Sequence, residues 1–183
     1  MNLEKGINMI RPYKKQQLYW LWLSASSILL DQFSKYFATI QLNYYEPIEI
    51  LPMLNLALTS NRGSAWGFLN SASGWQIGMF AAISAIASVL LLRFIYRLPP
   101  TNHWSACAFS LILGGAIGNL IDRFTHGYVV DFIQVHYQHW YFPVFNVADS
   151  AITIGAIMLI ISFLKKNRSN SNSENPDEIS FSN

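Results

Sequence analysis

Two carboxylates stand out by type and position. Asp131 lies in "GYVVDFIQV", and Asp149 lies in "NVADSAITIG" at the head of a long apolar run. A charge placed in or against a bilayer costs several kcal/mol on insertion scales, so Asp149 needs a reason to be there. Two carboxylates held close together cannot both ionise easily. One keeps its proton, and the pair titrates in two macroscopic steps. The ionised partner can activate water as a general base, while the protonated partner can donate to a carbonyl or a leaving amine. That is the chemistry of peptide hydrolysis without a metal or a covalent intermediate. Plainer roles stay open at this point: Asp149 as a first-turn acid complementing a helix N-terminus, and Asp131 as an ordinary loop acid.

Other polar residues gather around these two. Asn119, Asp122 and Arg123 stand in "GNLIDR". Asn119 and Arg123 are four apart and share a helix face. Arg123 can pair with Asp122, meet a substrate headgroup, or snorkel to an interface. Asn146 precedes Asp149 by three residues, a spacing that suits a helix cap and also an amide that orients carboxylates. Asp31 and Lys35 are four apart in an apolar stretch and read first as a structural ion pair. In "TSNRGSAWGF", Asn61 and Gly63 can shape a turn whose backbone meets an extended peptide. His126, His136 and His139 form no recognised ligand pattern, and no metal is expected. The single cysteine, Cys107, excludes an internal disulfide and reads as a small core hydrophobe. No glycine-rich phosphate loop, nucleophile elbow or His-Glu-x-x-His is present.

The elements that must hold these residues are membrane helices. Hydrophobic residues make up 52% of the 183 and charged ones 12%, about half the usual charged share of a soluble domain. A net charge of +2, with no basic stripe, argues against nucleic acid as a partner. Four apolar stretches, at about residues 18–42, 75–92, 104–121 and 144–164, are long enough to cross a hydrocarbon core. The first lacks a small-residue cleavage site and carries Asp31 and Lys35, so it does not read as a cleavable signal peptide. Lys5, Arg11, Lys14 and Lys15 precede the first stretch, Arg93 and Arg97 follow the second, and Lys165, Lys166 and Arg168 follow the fourth. By the positive-inside rule this predicts four spans with both termini cytoplasmic, and it puts Asp131 and Asp149 at the same outer face.

Residues 43–74, in the first outer segment, carry "PIEILPMLNLALTSN" and are expected to form a small sheet at the membrane surface. The following "SAWGFLNSASGW" suggests an interfacial turn or short helix. Asp131 is placed in an outer loop ahead of the interface-like "HYQHWYF". Residues 1–17 read as a cytoplasmic segment and 165–183 as a disordered cytoplasmic tail. The fold class is therefore an all-α polytopic membrane protein with four transmembrane helices, a small extracytoplasmic β-cradle and a short surface helix.

Four blocks, in order along this plan, resemble a known family. "LDQFSK", "TSNRGSAWGFL", "GNLIDRFTHGYVVDF" and "FNVADS" look like the signature blocks of lipoprotein signal peptidase, also called signal peptidase II. The resemblance covers about residues 18–164. It implies a bacterial inner-membrane aspartyl protease that removes the signal peptide from prolipoproteins once the lipobox cysteine carries a diacylglyceryl group. It implies Asp131 and Asp149 as the catalytic pair, and Asn61, Asn119, Arg123 and Asn146 as residues that line the site or hold substrate. Asp31 and Lys35 are implied as a supporting pair. The partners implied are lipidated prolipoproteins and membrane lipids, with no cofactor, a monomeric state and sensitivity to globomycin. Trp66 stands where the family commonly has Phe. The competing class is a small non-enzymatic transporter or assembly factor using intramembrane charges as a relay. The near absence of polar residues from the second and third spans before Asn119 weighs against it.

Overall fold

A computed structural model describes residues 16–63 and 73–173. A 3₁₀ turn over Gln16–Trp20 leads into helix α1, Leu21–Gln41, which is followed by strands β1 (Ile48–Leu51) and β2 (Leu54–Asn61). Helices α2 (Trp75–Arg97) and α3 (His103–Thr125) come next, then strands β3 (Val129–Tyr137) and β4 (Trp140–Tyr141), and finally helix α4 (Val147–Ser173).

The helices are built inside out. In α1 the buried residues are Ser24, Ser27, Asp31, Lys35 and Ala38. Their spacing of three and four makes them one stripe. The opposite face exposes Leu29, Leu30, Phe33, Tyr36 and Ile40, with Leu29 at 70% and Phe33 at 64%. A soluble helix shows the reverse pattern; here the polar stripe meets protein and the apolar face is left exposed. Among the described residues, α2, α3 and the first 22 residues of α4 are long and apolar enough to cross a membrane. At 1.5 Å per residue the 21 residues of α1 also reach about 31 Å. Its serines, Asp31, Gln32 and Lys35 make it more polar than α2 and α3.

Helix α3 is the centre of the bundle and packs against α1, α2 and α4. Small residues allow this. Gly115 lies so close to the Ala148 carbonyl at the start of α4 that a side chain there would collide with it. Gly118 faces Asp31, and a Cβ would sit 2.6 Å from the Asp31 Oδ2. Close backbone approach through small residues is the usual way membrane helices gain packing energy.

The sheet is antiparallel, in the order β1-β2-β3-β4. The described residues of 43–74 supply β1 and β2. The other half comes from the segment between α3 and α4, where Asp131 sits in strand β3 and not in a loop. Leu58, Val130 and Phe132 pack with Ala38 from the end of α1, and Val147 at the start of α4 lies against them. This cluster fastens the sheet to two helix ends. Phe145 exchanges backbone hydrogen bonds with Ile133 of β3, which delays the start of α4 to Val147 from the expected 144.

Three further boundaries differ from expectation. Helix α2 runs past the expected 92 to Arg97 and so contains Arg93 and Arg97. Helix α3 runs on to Thr125 and so contains Asp122 and Arg123. Helix α4 continues past Leu164 through Ser173, so residues 165–173, expected as the beginning of a disordered tail, are helical. That stretch has no Gly or Pro to stop it. The expected surface turn or helix after Gly63 falls largely on residues 64–72, outside the described residues.

Candidate active site

Asn146 is the hub of the site. It is the residue before α4, and its Oδ1 accepts the Asp149 N–H at 2.9 Å, as a helix N-cap does. Asp149 answers: its Oδ2 accepts the Asn146 N–H at 3.3 Å. This is a reciprocal capping box written with Asn and Asp. The Asn146 Nδ2 donates in the other direction, to Asp131 Oδ1 at 2.6 Å, to Asn119 Oδ1 at 3.1 Å and to the Val130 carbonyl at 3.3 Å. One fully buried amide thus ties the fourth helix, the third helix and strand β3 together.

Each carboxylate also has an amide of its own. Asn61 Nδ2 donates to Asp131 Oδ2 at 3.1 Å. Asn61 pairs with Val129 across the β2–β3 ladder while Asp131 pairs with Thr59, so Asn61 and Asp131 are diagonal neighbours on one face. The ladder is irregular between Leu56 and Thr59, and such breaks re-aim side chains beside functional sites. Asn119 Nδ2 donates to Asp149 Oδ1 at 2.8 Å. The Asn119 Oδ1 receives Lys35 Nζ at 3.0 Å as well as Asn146, which fixes the end of the amide that faces Asp149.

Asp131 is 2% exposed. Burial first, then the negative charge of Asp149, push its carboxyl up to about 7. Hydrogen bonds from Asn61 and Asn146 and the Lys35 charge pull the other way and are outweighed. Near neutral pH, therefore, Asp131 exchanges its proton readily beside a second carboxylate. This is what general acid–base work at that pH requires.

Arg123 closes one side. Its guanidinium donates to the Asn119 carbonyl at 3.1 Å and to the Gly63 carbonyl at 3.4 Å, and it lies 5.6 Å from the centre of the Phe80 ring. It does not pair with Asp122. Asp122 belongs to Lys35, at 2.9 Å. Asp31 and Lys35 do form the expected i, i+4 pair, at 2.8 Å. Gln32, which the sequence did not single out, donates to Asp31 at 3.2 Å and to Asp122 at 2.9 Å. The signal that finds the role of Asp122 is burial of charge: Asp122 repeats Asn119 at i+3 on the buried face of α3.

A cavity of about 530 Å³ opens over this cluster. Asn61, Asn119, Arg123, Asp131 and Asp149 give it a polar floor, and Val129, Phe145, Ile152 and Ile154 give it apolar walls. Of the histidines, His126 lies against Tyr128 and His136 stacks on Tyr141. Among the described residues no three of His, Cys, Asp and Glu come together as a metal-holding set.

The chain has close relatives. Residues 23–165 match the family model described as "Signal peptidase (SPase) II". A lipoprotein signal peptidase of Acinetobacter baylyi is 46% identical over 170 residues, covering 92% of this chain and 93% of that protein. One from Pseudomonas aeruginosa is 45% identical over 155 residues, covering 84% and 92%. A solved structure described as a bacterial membrane enzyme superposes with a TM-score of 0.73 at 35% identity, covering 81% of this chain and 89% of that one. The chain belongs to the signal peptidase II family, a family of membrane proteases.

Proposed function

We propose that this protein is an aspartyl endopeptidase that cleaves diacylglyceryl-modified prolipoproteins on the N-terminal side of the lipobox cysteine, with Asp131 and Asp149 as its catalytic pair. The observation that carries this reading is the sharing of Asn146 between two carboxylates that lie on the floor of one cavity, with Asp131 poised to ionise at about 7. The ionised member takes a proton from water and the resulting nucleophile attacks the scissile carbonyl while the protonated member donates to the carbonyl oxygen; as the C–N bond breaks, the member that took the water proton gives it to the leaving amine, and the other regains its own from the collapsing tetrahedral intermediate. No cofactor enters these steps. Arg123, Asn61 and Asn119 hold the peptide and the acids in place, and Asp31 and Lys35 support them from α1.

In this reading α1 is a fourth span beside the three more apolar ones. The protein is a monomer in the bacterial inner membrane with both termini in the cytoplasm and the sheet on the outer side. The positive charges flanking the helices support that orientation. Depth is the physical reason for the design. A lipidated substrate keeps its acyl chains in the bilayer, so its scissile bond lies at the membrane surface. The apolar walls of the cavity suit the chains, and the carboxylates lie where water still reaches.

The test is cleavage of a synthetic lipobox peptide, with and without the diacylglyceryl group, by purified parent, Asp131→Asn and Asp149→Asn. Both variants are expected to insert and fold but not cut, and the unmodified peptide to be cut far more slowly. Substantial cleavage by either variant would remove the dyad, equal rates on the two peptides would remove the lipid dependence, and loss of activity in chelator that zinc restores would replace the mechanism altogether.

A further inference from the structure

The buried charges of α1 and α3 do something more specific than cancel. Asp31 Oδ1 accepts the backbone N–H of Ala148 at 2.9 Å. Asp122 Oδ2 accepts the backbone N–H of Val130 at 3.0 Å. Ala148 immediately precedes Asp149, and Val130 immediately precedes Asp131. The Lys35 ammonium lies between the two acceptors, 2.8 Å from Asp31 and 2.9 Å from Asp122. Gln32 Nε2 is within hydrogen-bond distance of both. Every carboxylate oxygen of Asp31 and Asp122 is therefore engaged, and the two acids are tied to each other and to one backbone amide apiece.

From this geometry we infer that Lys35, Asp31 and Asp122 form a yoke that sets the relative position of the two catalytic aspartates by gripping the peptide unit in front of each. This rests on the reading of Asp131 and Asp149 as the catalytic pair. A buried ion pair is a poor way to gain stability, because desolvation offsets the attraction, and apolar replacements of similar volume are often as stable. Three charges that are each no more than 4% exposed thus need another explanation. The yoke supplies one. On the cavity side Asn146 joins the start of α4 to β3, next to the backbone hydrogen bonds between Phe145 and Ile133, and the yoke joins the two elements again from behind, through α1 and α3. Asp31, Asp122 and Lys35 are positioning residues; none of them lines the cavity.

The arrangement also has an electrostatic consequence. The charged groups around Asp131 are Asp149 from α4, Lys35 from α1 and Arg123 from α3, with Asp31 and Asp122 held against Lys35. Lys35 is the one that lowers the Asp131 pKa from the yoke. Taking the ammonium away therefore moves the ionisation of the catalytic pair to higher pH.

The experiment uses full-length protein in detergent micelles and a diacylglyceryl-modified lipobox peptide, with Asp131→Asn and Asp149→Asn as inactive references. Asp122→Ala leaves the Val130 N–H without its acceptor, whereas Asp122→Asn keeps an oxygen there. The yoke predicts that kcat falls on the order of a hundredfold for Ala, as expected for reacting groups displaced by about 1 Å, that Asn recovers most of it, and that KM stays near the parent value in both. Lys35→Met is expected to lower kcat and to move both limbs of the pH profile upward. Equal impairment of Ala and Asn at position 122, or a Lys35→Met enzyme with parental kcat and unmoved limbs, overturns the yoke. If Lys35→Met does not fold, the contrast at position 122 decides. Cleavage by either reference variant would instead remove the dyad reading beneath it, so the two failures are distinguishable.

Discussion

Asn146 and Asp149 bind each other twice: the Asp149 N–H donates to Asn146 Oδ1 at 2.9 Å, and the Asn146 N–H donates to Asp149 Oδ2 at 3.3 Å. The same asparagine donates its Nδ2 to Asp131 at 2.6 Å. A helix cap and an active-site orienter are thus one side chain, and substitution can separate the two jobs. Asn146→Ser keeps an oxygen for the cap and loses the amide donor, while Asn146→Ala loses both. Both variants are expected to lose about 1–3 kcal/mol with the buried Nδ2 bonds, and Ala about 1 kcal/mol more than Ser for the lost cap. Both are expected to cleave on the order of a hundredfold more slowly, since the tie to Asp131 is gone. Thermal unfolding and peptide cleavage on the three proteins check this, and a fully active Ser variant would show that the Nδ2 contact is idle.

The position of Asp131 makes stability depend on pH. Its carboxyl ionises at about 7 in the fold, against about 3.9 in an unfolded chain. A folded pKa raised above the unfolded one means the native state holds the proton more tightly. Its contribution is complete below about pH 4 and is lost as the pH rises through about 7. Asp131→Asn removes that dependence. The variant's unfolding temperature relative to the parent is therefore expected to climb between pH 4 and pH 8, in the variant's favour at the upper end. A gap that stays constant over this range would mean that Asp131 is not protonated in the fold.

Much of this site was legible in the sequence because its parts are short-range or chemically conspicuous. Asn146 and Asp149 are one helical turn apart, and Asp31 and Lys35 are too, so their pairing follows from periodicity. The rest depended on distant partners. "VVDFIQV" has apolar residues on both faces and no alternation, so it read as a loop. It becomes a strand only because β2, some 70 residues earlier, offers an edge. Asp122 was read beside its neighbour Arg123, yet adjacent residues on a helix point in different directions. Its true partner, Lys35, is on another helix. The helix ends moved for a related reason: the tie of Phe145 to Ile133 shortens α4 at its start, and nothing in "KKNRSNSNS" stops it at Leu164.

The glycines of the bundle separate packing from positioning. At Gly118 a Cβ would stand 2.6 Å from Asp31 Oδ2, the carboxylate whose other oxygen holds the Ala148 N–H. At Gly155 a Cβ would stand 2.6 Å from the Ala108 carbonyl, within the α3–α4 contact and away from the carboxylates. At Gly78 nothing lies within 4 Å. Gly118→Ala and Gly155→Ala are both expected to cost about 1–3 kcal/mol by overpacking. Gly78→Ala is expected to be neutral or to gain about 0.5–1 kcal/mol, because alanine loses less conformational freedom in a helix. Cleavage divides the set differently. Gly118→Ala pushes Asp31 off the start of α4 and is expected to lose more than about tenfold in kcat, because displacement of a reacting group by a fraction of an ångström is already felt in the rate. Gly155→Ala, at similar stability, is expected to keep most of its activity below its own unfolding temperature, and Gly78→Ala all of it. Unfolding temperatures and kcat measured on the same three preparations decide the matter. Parallel losses of stability and kcat at positions 118 and 155 would mean that helix packing alone, without the Asp31 grip on Ala148, governs the rate.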